Sequence, residues 1–149
     1  MVRSFPREMA SIAALVEYVR EFLVLEGFSE DAAFDLDLVL EELFTNLVKY
    51  GTGARGAIDV GLERGAPGLV LTLKEYDSDP YDPTAAPEVD TNQPIAERRP
   101  GGLGIHLVRR LSREFSHDYD WHDRTGVITV TMKETYLCSR SASKARSPI

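Results

Sequence analysis

One cysteine, Cys138, stands among the 149 residues, so no disulfide can form within the chain and a reducing compartment suits it. No apolar run approaches the roughly 20 residues that span a bilayer, and residues 1–7 lack the apolar stretch of a secretion signal. A cytoplasmic chain with no membrane partner is the expectation. Positive charge is also scarce: 17 Lys and Arg face 24 Asp and Glu, which leaves a net charge of −7 and a pI near 5.0. Nucleic-acid binding needs clustered cations against phosphate, so no nucleic-acid partner is expected. A phosphate compound held by backbone amides and a metal ion stays open, because neither needs bulk positive charge. The three histidines, His106, His117 and His122, lack zinc-ligand spacing, and no Gly-x-Ser-x-Gly nucleophile motif occurs.

What is present reads as one soluble globular domain, with 43% hydrophobic and 28% charged residues. A chain of this length buries about two-thirds of its unfolded surface and folds without staples. A short strand is expected at residues 2–5. Ile12, Leu15, Val16, Val19, Phe22 and Leu23 recur at helical spacing up to Gly27. A second helix starts after Ser29, with Glu30 and Asp31 in its first turn, and carries a stripe of Leu36, Leu40, Leu43 and Leu47 as far as Gly51. Residues 57–63 and 69–74 alternate in phase around a turn and form a hairpin. Residues 79–100 hold five of the eight prolines and no periodicity, the mark of a functional or disordered loop. Gly101, Gly102 and Gly104 open a third helix with Ile105, Val108 and Leu111 on one face. Strands at 115–121 and 127–132 follow, with Trp121 expected to pack on the sheet. The Ser-rich, basic stretch 135–149 is expected to be a disordered tail. Helix pairs and antiparallel strand pairs in this order predict an α+β fold: a two-layer sandwich with helices on one face of a mostly antiparallel sheet.

Three segments carry groups suited to chemistry. Glu42 and Asn46 lie four apart on the second helix and share one face, about a quarter turn from the leucine stripe. An amide oxygen there suits Mg²⁺, and a carboxylate one turn away could polarise a hydroxyl; the same spacing also describes a plain solvated helix face. Arg98-Arg99-Pro100-Gly101-Gly102-Leu103-Gly104 leads into a helix start, where close backbone approach and free amides favour anions. No Gly-Lys-Ser/Thr follows, so it is not a Walker loop, and as a lone glycine run it also fits a hinge. Glu75-Tyr76-Asp77-Ser78-Asp79-Pro80-Tyr81-Asp82-Pro83 ends the second hairpin strand with four acids and two tyrosines, a polar exit that turn formation alone could explain.

In order, these segments resemble the motifs of the GHKL ATPase superfamily. Glu42-Leu43-Phe44-Thr45-Asn46 is similar to its N box, residues 75–83 stand where its adenine box lies, and residues 99–104 resemble its glycine box. Together with the flanking strings LVKYG and GGLGIHLVRRL, they look most like the small RsbW-type anti-sigma factor serine-protein kinases, over residues 2–133. The resemblance implies a Bergerat fold in residues 1–134, with ATP and Mg²⁺ between the second helix, a lid at 84–100 and the third helix. It implies Asn46 as the Mg²⁺ ligand and Glu42 as the catalytic carboxylate, with Arg99, Gly102, Leu103 and Gly104 on the phosphates and Thr131 near the adenine, Thr129 being only one register away. It further implies transfer of phosphate to a serine of a STAS-type anti-anti-sigma partner, sequestration of a sigma factor, and a homodimer.

The adenine box departs from the family pattern. Anchored on Tyr81-Asp82-Pro83, Tyr76 stands where the adenine Asp belongs and Ser78 where a Gly belongs. Asp77, one residue late, serves as the carboxylate only if a bulge re-aims it. Loss of such a bond, about 1.5–3 kcal/mol, lowers ATP affinity by roughly one to two decades. The second expectation is therefore a nucleotide-weak or nucleotide-independent protein-binding module of the same fold. A sensor histidine kinase would need a dimerising helix pair with a phospho-acceptor His, which the sequence lacks.

Overall fold

The computed structural model describes residues 1–66, 68–88 and 103–133. Strand β1 (Val2–Phe5) leads through a short 3-10 turn into helices α1 (Ile12–Glu26) and α2 (Glu30–Tyr50). The hairpin β2 (Ile58–Gly65) and β3 (Gly68–Glu75) follows, then helix α3 (Leu103–Leu111) and the hairpin β4 (Ser112–Asp120) and β5 (Thr125–Met132). The strands form one sheet in the order β1-β2-β3-β5-β4, with every neighbouring pair antiparallel. The fold is the expected α+β two-layer arrangement.

The layering follows from alternation. Ile58, Val60 and Leu62 on β2, Leu69, Leu71 and Leu73 on β3, and Ile128, Val130 and Met132 on β5 are buried in one core with the helices. The residues between them, such as Thr72, Lys74 and Thr129, lie on the sheet's open face. From α2 come Leu36, Val39, Leu40, Leu43, Phe44 and Leu47, and from α3 Ile105 and Val108. Gly27 adopts φ 68°, a left-handed cap that donates its N–H to the carbonyls of Leu23 and Val24 and ends α1. Among the described residues no helix is long and apolar enough to cross a membrane.

Two expectations change. Strand β4 starts directly after α3 and ends at Asp120, so Trp121 falls in the turn, 75% exposed, touching Tyr119 edge-on at 4.9 Å rather than packing on the sheet. Strand β3 runs one residue further than the apolar alternation suggested, to Glu75. The tail expected at 135–149 lies outside the described residues, as does Cys138.

Asp37 on α2 is half-buried, and its Oδ1 has no hydrogen-bond partner. Burial pushes its carboxyl above the ordinary carboxylate range, against the pull of Arg20. The folded chain thus holds this proton more tightly than the unfolded chain, so stability is lost as pH rises through the folded-state pKa. Asp37→Asn is expected to raise the melting temperature at pH 7 and leave it unchanged near pH 3; equal melting temperatures at pH 7 would count against this.

Candidate functional site

The flank of α2 that carries Glu42 and Asn46 turns away from the leucine core, and both residues are half-buried. Asn46 Nδ2 donates to Glu42 Oε1 at 2.8 Å. That bond uses the amide's donor side and leaves its carbonyl oxygen as a hard acceptor. Gly104, in the first turn of α3, lies against the same carboxylate: a Cβ built on it would collide with the Glu42 carboxyl group. The opening amides of α3 have no partners within the helix, so the anion-binding end of α3 starts beside Glu42 and Asn46. A cleft of about 420 Å³ opens here, lined by Met9, Glu42, Thr45, Lys49, Gly104 and Leu107 among others.

A second cluster lies where α2 ends and β3 stops. Glu75 continues the phase of Leu69, Leu71 and Leu73, so its side chain faces the helices and is only 2% exposed. Arg7 Nη2 donates to Glu75 Oε2 at 2.8 Å, and Arg7 Nη1 donates to the Leu47 carbonyl, one residue past Asn46, also at 2.8 Å. Gly51 makes this possible, because a Cβ there would run into Arg7, the Leu47 carbonyl and Glu75. Tyr81 is half-buried beside them, with its ring 5.5 Å from that of Tyr50. Burial pushes its phenol pKa up, and Tyr50, Glu42, Asp82 and Glu75 push the same way. Tyr81 therefore sits within the field of both the Glu42 and the Glu75 carboxylates.

Of the residues singled out by sequence, Glu42, Asn46 and Gly104 are brought together, and Leu103 stands 51% exposed as the first residue of α3. Arg99 and Gly102 lie outside the described residues, as does most of the lid segment, residues 89–100. Its start is tied down by Arg109 Nη2, which donates to the carbonyls of Thr84 at 2.8 Å and Ala86 at 2.5 Å.

Three calls are corrected. Asp77 is exposed, at φ 50° in the turn after β3, and no bulge aims it into the cleft, because β3 has already ended. Tyr76 lies on the open face of the sheet, where its hydroxyl donates to Asp59 at 2.7 Å, and not at the inward position where the alignment put the adenine Asp. Thr131 pairs with Val70 and Glu114 and shares the open face with Thr129. Glu75 pairs with Gly126, five residues or about 17 Å away along β5. Glu75 and Arg7 are the residues that sequence reading passed over. The phase of the three β3 leucines pointed to Glu75, whereas nothing local marks Arg7.

A family model for the histidine kinase-like ATPase domain matches residues 5–133 of the chain. No curated protein matches it. Among solved structures, a chain of the SiaB-SiaC complex from Pseudomonas aeruginosa is similar, with a TM-score of 0.55, 17% sequence identity and 87% of each chain covered. At that identity the likeness is one of fold.

Proposed function

The chain belongs to the histidine kinase-like ATPase domain family, and from that premise we propose that it is an ATP-dependent serine-protein kinase acting as an anti-sigma factor. Its substrate is a serine of a STAS-type anti-anti-sigma protein, and it sequesters a sigma factor when that partner is phosphorylated. The observation that carries this reading is the Glu42–Asn46 pair set against Gly104. At this end the residues that support a phosphate chain and cation are an amide oxygen for Mg²⁺ and the start of a helix, with Gly104 letting the backbone lie against the Glu42 carboxylate. Asn46 would hold the cation, and Gly104, with Gly102, Leu103 and Arg99, the phosphates. ATP supplies the phosphoryl group, while the chain's part is positioning and charge stabilisation. With Oε1 taken by Asn46, Glu42 keeps Oε2 to accept a proton from a serine hydroxyl. The fold shared with a chain of the SiaB-SiaC complex supports a protein partner. A cytoplasmic homodimer completes the proposal.

The base end does not fit in the same way. The inward carboxylate, Glu75, is held by Arg7, and Tyr81 is packed alongside. That observation favours a second reading, a nucleotide-weak module that grips its partners without turnover. Calorimetric titration of Mg-ATP separates the two. Binding by the wild type that Asn46→Ala abolishes, followed by transfer of labelled γ-phosphate to a partner serine that Glu42→Ala eliminates, is the result expected of the kinase. A folded wild type that gives no heat and still binds a partner moves the assignment to the module.

A further inference from the structure

We propose that Arg7 is a latch where α2 ends and β3 stops: its guanidinium holds Glu75, and a nucleotide base gains that carboxylate only when Arg7 lets go. The inference rests on the reading of this cleft as a nucleotide site. Arg7 ties two elements together, with one Nη on the last turn of α2 and the other on the final residue of β3. An exocyclic amine on a purine presents N–H donors to a carboxylate, as a guanidinium does, so the two compete for one acceptor.

Two features make this pair suited to opening. Arg7 Nε is buried and has no acceptor among the described residues. A guanidinium placed only to brace the fold would be expected to satisfy all its buried donors, since each unmet one costs stability; the closed pair is incomplete. Arg7 also lies between β1 and the 3-10 turn at Met9–Ser11, outside any helix or strand. Its side chain can therefore swing without unravelling an element. Where only a fraction of molecules is open, apparent affinity falls by that fraction. A pair closed ten to one or more thus hides a site at least tenfold tighter than the one measured.

The test is calorimetric titration of Mg-ATP into the full chain as wild type, Arg7→Gln and Arg7→Lys, each with and without Asn46→Ala, with melting curves to establish folding. Arg7→Gln is expected to tighten binding at least tenfold. Arg7→Lys, which keeps the charge but lacks the fork that reaches both acceptors, is expected to tighten it several-fold. Asn46→Ala should abolish binding in every background. Equal affinities in wild type and folded Arg7 variants overturn the latch and leave the nucleotide reading standing. Tightened binding that survives Asn46→Ala lies elsewhere and overturns the latch together with the assignment of Asn46. No binding by any folded form overturns both. If Arg7→Gln does not fold, Arg7→Lys decides alone.

Discussion

Glu75→Ala is expected to cost about 3–5 kcal/mol of folding stability, a large share of the 5–15 kcal/mol typical of a domain. The reason is what remains behind. The Arg7 side chain is 12% exposed and its only other described acceptor is the Leu47 carbonyl, so truncation leaves a buried cation without a counter-charge. The melting temperature should fall on the order of 10–20 °C. Removing both charges is a different matter, because a buried pair replaced by packed apolar groups is often neutral. Arg7→Met combined with Glu75→Leu should therefore recover most of the loss, and urea unfolding of wild type, Arg7→Met, Glu75→Leu and the double variant gives the coupling directly. Asp77→Ala, at an exposed turn position, should stay within about 0.5 kcal/mol of wild type. A Glu75→Ala loss below that of Asp77→Ala would mean that the inward carboxylate of β3 has been wrongly identified.

That contrast shows what could be read from the sequence. Phase alone carried most of the fold: the α2 leucines, and the alternation of Ile58, Val60 and Leu62 against Leu69, Leu71 and Leu73, placed helices on one face of an antiparallel sheet. The Glu42–Asn46 spacing and the glycines before α3 were legible because each lies within one element or its cap. Errors entered where a motif was aligned by its strongest string instead of by strand phase. Anchoring on Tyr81-Asp82-Pro83 put Tyr76 at the base, although the leucine parity already sent Tyr76 to the open face and Glu75 inward. Thr131 is out of phase with Ile128, Val130 and Met132 and is nonetheless 5% exposed. Arg7 was not legible at all. It meets Glu75 across 68 positions of sequence, through the tertiary approach of β1, α2 and β3 at Gly51.

Gly104→Ala tests the proposed catalytic role of Glu42 with little effect on the fold. The atoms its Cβ would strike belong to the tip of a flexible side chain, the Glu42 carboxyl, so Glu42 yields and the helices stay in place. Displacing it costs the Asn46 hydrogen bond, about 1 kcal/mol, and a strained rotamer, about 0.5–1.5 kcal/mol. Alanine in a helix returns about 0.5–1 kcal/mol over glycine. Net stability should thus change by no more than about 1–2 kcal/mol. Transfer of γ-phosphate to a partner serine, by contrast, should fall about 100-fold, because a carboxylate misplaced by an ångström loses its geometry with the attacking hydroxyl. If the glycine acts only through Glu42, the two changes are not additive: Glu42→Ala with Gly104→Ala should transfer no more slowly than Glu42→Ala alone. A further loss in the double variant would assign Gly104 a separate role, as backbone in direct contact with the phosphates. A full transfer rate in Gly104→Ala would remove Glu42 from the chemistry, because the carboxylate cannot keep its place once that Cβ is present.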